Sequence, residues 1–336
     1  MANFELLKEL TQAWGVAGRE KAVRAIVLRE LEGHVDNAYV DNIGNIIAVK
    51  HGKGGPDSKK IMLSAHMDEI GLQVKKIESD GRIKVCNVGW VWTSALYNDQ
   101  VVFQNGTIGV VGCDGKIEDA KNDSGKLYID IGCTSKEDTE KYVKVGDYAG
   151  FVGPWYELQN GRVSAKTFDD RVGCFMLLEA VKRNKGDCPN DVYYVFSVQE
   201  EVGCRGSHGA AYGVQPDIVL NLEGTAANDL GCVDDQFKVC RPTQGVAVSF
   251  MDDSSIGQRK LFKEILDLAE HEHIPHQIKR GVTGSNDASA YQRAAAGCLT
   301  CVLSVPCRYI HSGASVAYLE DIQSQYELVR AFLMHA

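Results

Sequence analysis

The 336-residue sequence has no surplus of positive charge, no long apolar run and no even set of cysteines. Lysine and arginine total 36 against 45 aspartates and glutamates, a formal charge of −9, and basic residues come only in short pairs such as Lys59-Lys60. A nucleic-acid partner needs a basic surface or stripe, so that class is excluded. No apolar stretch approaches the ~20 residues that cross a bilayer. The opening Met1-Ala2-Asn3-Phe4-Glu5 begins an amphipathic pattern rather than the basic-then-apolar order of a signal peptide. The expectation is therefore no membrane partner and a cytoplasmic location. Eleven cysteines, scattered from Cys86 to Cys307, argue against a disulfide framework. Cys298 and Cys301 have CxxC spacing but sit in an apolar, strand-like run without a second pair, and read as core thiols. What is present is ordinary globular composition, 44% hydrophobic and 24% charged, at a length that suggests about two domains.

Leu6, Leu7, Leu10 and Trp14, then Ala22, Val23, Ile26, Val27 and Leu31, recur at helical spacing. Val40 to Val49 reads as strand around an Asn42-Ile43-Gly44-Asn45 turn, and Ile61 to Ala65 is a short apolar run that ends at His66. From about 75 to 163 the texture changes to short β-branched runs broken by Gly and Asp-Gly turns, such as Asp80-Gly81, which predicts a β-barrel or sandwich insert. Beyond it, strands are expected at Val192–Val198, Ile218–Leu222, Val246–Phe250 and Leu299–Val305. Helices are expected at Arg171–Arg183, Gln258–His271 and Leu319–Leu333. The alternation implies an α/β sheet covered by helices on both faces.

Residues of metal-ligand type gather at the ends of these elements. His66 and Asp68 follow one strand, Glu200 and Glu201 another; Glu223 ends a third, and His311 lies just past a fourth. Asp169 and Asp170 precede a helix. Ligands of open α/β sheets bind beyond the carboxyl ends of the strands, so these segments are expected to converge. Carboxylates packed together repel unless protonated or bound to cations, and two divalent ions are the simplest remedy. Each signal alone has a plainer reading: a buried histidine, a helix cap at Asp169-Asp170, an exposed strand end at Glu200-Glu201. Adjacent strand residues point to opposite faces, so both glutamates reach one site only if their strand has already ended, which Gly203 and Gly206 permit. Cys204 lacks a basic partner in its segment and is not expected to act as a nucleophile. His271, His273 and His276 read as a solvated helix end.

The ordered motifs Trp14-Gly15-Val16-Ala17-Gly18-Arg19-Glu20, Ser64-Ala65-His66-Met67-Asp68-Glu69-Ile70-Gly71, Phe168-Asp169-Asp170-Arg171-Val172-Gly173, Glu200-Glu201-Val202-Gly203-Cys204-Arg205-Gly206-Ser207 and Arg308-Tyr309-Ile310-His311-Ser312 span nearly the whole chain. They resemble the tetrahedral, dodecamer-forming dimetal aminopeptidases of glutamyl and deblocking type, some of which carry a cellulase label. The resemblance implies a mixed-sheet, zinc-exopeptidase-like catalytic domain (residues 1–74 and 164–336) with an inserted β-barrel-like domain (75–163) for dimerisation and substrate access. It implies two divalent ions, zinc or cobalt with manganese also accommodated, and short peptides as substrates. By the resemblance, His66 binds the first ion, Asp169 bridges both, and Glu201 and His311 bind the second. Glu223 stands where the first ion's other carboxylate is commonly aspartate. Glu200 is the implied general base to a water activated by two metals, and Asp68 orients His66. Asn286 departs from a usual threonine, leaving Asp287 as a supporting residue. Gly313, where proline is frequent, is expected to loosen the loop carrying His311. A metal deacylase or carboxypeptidase would use nearly the same ligands. A glycosidase would need paired carboxylates without a metal, and a non-enzymatic assembly protein could share the fold. Arg205, Lys279 and Arg280 are candidates to meet acidic substrate side chains if they line the pocket.

Overall fold

The apolar spacing of the first thirty residues folds as two helices, each burying one stripe: Leu6, Leu7 and Leu10 on α1 (Phe4–Gln12), and Val23, Val27 and Leu31 on α2 (Lys21–Leu31). A computed structural model of the chain describes residues 4–54, 58–120, 123–231 and 233–335; the first three residues of the opening amphipathic pattern lie outside them. The hairpin β1 (Asn37–Val40) and β2 (Ile46–Lys50) turns where the Asn-Ile-Gly-Asn signal stands. Next comes β3 (Lys60–His66), buried over all but its first residue, as expected of a strand covered on both faces.

The chain then leaves the sheet. β4 (Gly71–Ile77), β5 (Ile83–Val88), β6 (Gln100–Phe103), β7 (Ile108–Cys113), β8 (Leu127–Asp130) and β9 (Tyr148–Phe151) form a closed antiparallel barrel in the order β4-β5-β8-β7-β6-β9. Single-turn helices α3 (Thr93–Leu96) and α4 (Lys136–Thr139) lie in its connections. Leu72, Val74, Ile83, Val85, Val111 and Ile129 fill it with a core of its own. Closure leaves no unpaired strand edge.

The return passes through β10 (Tyr156–Glu157) and β11 (Arg162–Ala165) into α5 (Phe168–Arg183), β12 (Asp191–Ser197), α6 (Arg205–Val214) and β13 (Ile218–Ala226). After these follow β14 (Val246–Ser249), α7 (Arg259–His271), β15 (His276–Lys279), α8 (Ala288–Arg293), β16 (Leu299–Cys307), β17 (Ser315–Tyr318) and α9 (Leu319–His335). Eight strands make a mixed sheet in the order β1-β2-β12-β3-β13-β16-β14-β15, and β10-β11-β17 make a small second one. The central four, β12, β3, β13 and β16, are mutually parallel, so their carboxyl ends share one rim. α5 is buried along nearly its whole length and packs on β3 and β13 beneath that rim.

Two buried acids tie elements together. Glu69 receives the Lys166 ammonium at 2.8 Å on both oxygens, lies 3.6 Å from Arg171, and accepts the Gly15 N–H at 2.8 Å. Asp321, in the first turn of α9, accepts the N–H groups of Thr243 and Gly245, both at 2.8 Å. The cysteines described here are all free thiols. Burial pushes Cys298 up to about 11 and Cys301 to about 12, so this pair stays protonated in the core. No helix among the described residues is long and apolar enough to cross a membrane.

Candidate metal centre

The shared rim of the four parallel strands brings five of the expected ligands to one place. His66 is the last residue of β3, and its Nε2 lies 3.1 Å from Asp169 Oδ1 and 3.7 Å from Glu223 Oε2. Past the end of β16, His311 places its Nε2 3.1 Å from Asp169 Oδ2 and 3.4 Å from Glu201 Oε1. Asp169 thus turns one oxygen to each histidine. Non-helical backbone angles at Asp169 and Asp170 keep them out of the regular turns of α5. β12 ends at Ser197, and Gln199 takes a positive φ of 58°, so Glu200 and Glu201 follow a turn and both face the rim. Glu200 Oε2 stands 3.9 Å from His66 Nε2, while its Oε1 accepts the Cys204 thiol at 3.6 Å.

The supporting contacts are as specific. Asp68 does more than face His66. Its carboxylate is 3.5 Å from Nδ1, and its backbone carbonyl is nearer, at 3.2 Å. The same carboxylate accepts the peptide N–H of Glu200 at 3.0 Å and of Glu201 at 3.1 Å, clamping the turn that carries both glutamates. Buried Asp170 accepts the His66 and Gly173 N–H groups at 3.1 and 3.0 Å. His311 donates from Nδ1 to the Trp90 carbonyl at 2.8 Å, a contact supplied by the barrel's β5–α3 loop. That bond leaves Nε2 as the nitrogen turned to Asp169 and Glu201, the one that would bind an ion once its proton is displaced. At Gly313, in the loop carrying His311, a β-carbon would stand 2.5 Å from the Val152 carbonyl oxygen, so glycine permits close packing on the barrel. Asp287, fully buried, accepts the Ser197 hydroxyl at 2.5 Å, and its carboxylate also groups with Glu200 and Cys204 as potential ligand atoms.

The charge balance is lopsided. Burial, reinforced by the charges of Glu201 and Glu223, pushes Glu200 well above the usual carboxylate range; burial likewise raises Glu201 and Glu223. Burial opposes charge on the imidazoles, yet Asp169 and Asp68 hold His66 well above its ordinary value, and Glu201 with Asp169 carries His311 to about 11. Asp169 sits below its ordinary value despite burial, because both histidines bond to it. Five carboxylates converge on two imidazoles, with ligand atoms grouped as His66, Asp170 and Glu223, as His66, Glu200 and Glu201, and as Asp169, Glu201 and His311. Nitrogen and oxygen donors with unneutralised negative charge fit divalent cations.

The rim opens into a cavity of about 570 Å³. Trp90 and Trp92 stand at its edge, 60% and 42% exposed, with ring centroids 5.8 Å apart at 82°. Lys279 lines it and donates to the Thr283 carbonyl at 3.2 Å, whereas Arg205 and Arg280 are exposed outside it. Cys204 is held protonated by burial, in keeping with its exclusion as a nucleophile. His271, His273 and His276 belong to none of the potential metal-holding groups among the described residues.

Residues 44–328 match the M42 glutamyl aminopeptidase family. The chain belongs to that family. As an M42 member it is a metallo-aminopeptidase, an exopeptidase of the hydrolase class that uses divalent metal ions. A putative aminopeptidase of Acetivibrio thermocellus is 38% identical over 97% of either chain. Among solved structures, an aminopeptidase from the archaeon Desulfurococcus kamchatkensis superposes with a TM-score of 0.93 at 35% identity, covering 99% of this chain and 94% of that one. The TET1 peptidase of Pyrococcus horikoshii, which can assemble into a tetrahedron or a large octahedral shell, gives 0.86 at 32% identity over 99% of each chain. The cellulase label has its counterpart in a Thermotoga maritima endoglucanase structure, with a TM-score of 0.82 at 34% identity over 98% of this chain and 96% of that one.

Proposed function

We propose that this M42 member removes the N-terminal residue from short peptides at a centre holding two divalent ions. The carrying observation is the division of Asp169, one oxygen toward His66 and the other toward His311. His66, Asp169 and Glu223 would hold one ion, and Asp169, Glu201 and His311 the other. Zinc and cobalt suit this donor set, and manganese is also accommodated. When bound, the ions supply Lewis-acid polarisation of a water and of the scissile carbonyl.

Glu200 is the acid–base group. It lies against the ligand cluster without being split between histidines, and the Cys204 thiol fixes Oε1, leaving Oε2 to take a proton from the attacking water and return it to the departing amine. Its raised affinity for protons suits the second half of that task. Asp68 holds the Glu200 and Glu201 peptides and faces the inner side of the His66 ring. Acidic walls draw in a substrate ammonium, which sets the first peptide bond opposite Glu200. Trp90 and Trp92 line the cavity and offer apolar faces to the substrate. Glu200→Gln should retain both ions yet lose about 10²–10⁴-fold in kcat on an aminoacyl-anilide. Wild-type turnover in that variant refutes the assignment.

The same reading assigns residues 1–74 and 164–336 to catalysis and 75–163 to dimerisation and substrate access. It places the chain in the cytoplasm as a tetrahedral homododecamer. Relatives with TET assemblies support the oligomer, and free thiols at every described cysteine suit a reducing compartment.

A further inference from the structure

Glu223 has a longer reach than an aspartate and one more torsion to fix. Its Oε1 accepts the Asn221 side-chain amide at 2.8 Å, so only Oε2 is turned toward His66. The Asn221 amide also donates to Asn286 Oδ1 at 3.3 Å. Asn286 in turn cannot rotate: its Oδ1 accepts the Ala288 N–H at 3.0 Å, and its Nδ2 donates to Asp252 Oδ2 at 2.7 Å. Asp252 is pinned by the N–H groups of Ser254 and Ser255 at 2.8 and 2.6 Å and by the Ser255 hydroxyl at 2.5 Å. All four residues of this chain are at most 6% exposed.

The direction of the chain is forced. Asp252 only accepts, so Asn286 presents its amide there and its oxygen to Asn221; Asn221 then has only its amide to offer Glu223. A second observation comes from the opposite side of Asn221, whose buried Oδ1 has no hydrogen-bond partner among the described residues. An amide oriented by its own needs would turn that oxygen to a donor. Here the oxygen goes unmet so that the N–H groups meet Glu223 and Asn286.

We propose that Asn221 and Asn286 are positioning residues for Glu223, joined in series to Asp252, and that they decide which Glu223 oxygen faces the first metal position. The inference rests on the metal-centre reading and goes beyond it by assigning residues outside the ligand set. Mutating such partners of a ligand costs about 10–100-fold in metal affinity.

The test is calorimetric titration of zinc into metal-stripped full-length protein. Asn286→Ala and Asn221→Ala should each weaken one of two binding events by about 10–100-fold, leave the other within about twofold, and combine without multiplying, because they break one chain. Asp252→Asn, remote from the ions and free to let Asn286 turn over, should weaken the same event by a smaller factor even if an alanine variant fails to fold. Ser249→Ala, at a buried hydroxyl outside the chain, should change neither event. Equal weakening of both events, no weakening, or a double variant whose losses multiply overturns the proposal. Wild-type protein that binds zinc once or not at all fails at the metal-centre reading itself, before the variants are compared.

Discussion

Lys166 and Glu69 meet where water does not reach, and burial lowers the ammonium's proton affinity even with the carboxylate beside it. Removing one member leaves the other charged and buried, which is worse than removing both. Lys166→Met is expected to destabilise the fold by about 3 kcal/mol, the low end for a broken buried pair because Arg171 and the Gly15 N–H still face Glu69. Adding Glu69→Gln should recover part of that loss in a thermal melt; a double variant that costs the sum of the singles contradicts the pairing. At the same scale, charged residues at strand ends were readable in advance, because a carboxylate or imidazole at the end of an apolar run is costly unless it serves something. Asn221, Asn286 and the clamp from Asp68 to the Glu200 and Glu201 peptides were not. Amide side chains carry no charge signal, and partners 65 residues apart meet only through the tertiary fold.

Elements were legible where their period was long enough to see. α5, α7, α9, β12 and β16 fall within a few residues of the apolar patterns that predicted them, and the Asp-Gly texture announced the barrel strands. The small sheet β10-β11-β17 was not foreseen, since strands of two to four residues show no alternation. One junction of elements has a pH signature. Burial raises the Asp321 carboxyl to about 6, although two peptide N–H groups oppose the rise. The folded state therefore holds this proton more tightly than the unfolded chain, whose carboxyl has a value near 3.9. Stability from this group is full below about pH 4 and is lost as the pH rises through about 6. Asp321→Asn, which cannot ionise, should lose ground to wild type least at neutral pH. The difference in melting temperature between the two should move in the variant's favour from pH 4 to pH 7, and a flat difference removes the assignment.

For the whole molecule, the rim's surplus of buried carboxylate makes metal content a matter of stability as well as catalysis. Ions that bind the folded chain and not the unfolded one stabilise it by about 2.7 kcal/mol at a free concentration a hundred times Kd. Chelation followed by dialysis should therefore lower the melting temperature together with activity, and divalent ion should restore both. Restored activity without a restored melting temperature would separate the two effects and count against ions seated among these buried groups.

The bond from His311 to the Trp90 carbonyl joins the loop that follows β16 of the large sheet to a loop of the barrel. A trimmed enzyme made by joining β3 directly to β10 would keep every residue named as a ligand, and its sheet would have lost none of its strands. It would nevertheless lack the acceptor that holds one nitrogen of His311, and the ring would be free to turn over. Miniaturisation therefore has a floor in this architecture, because the insert supplies part of the coordination geometry without contributing a ligand.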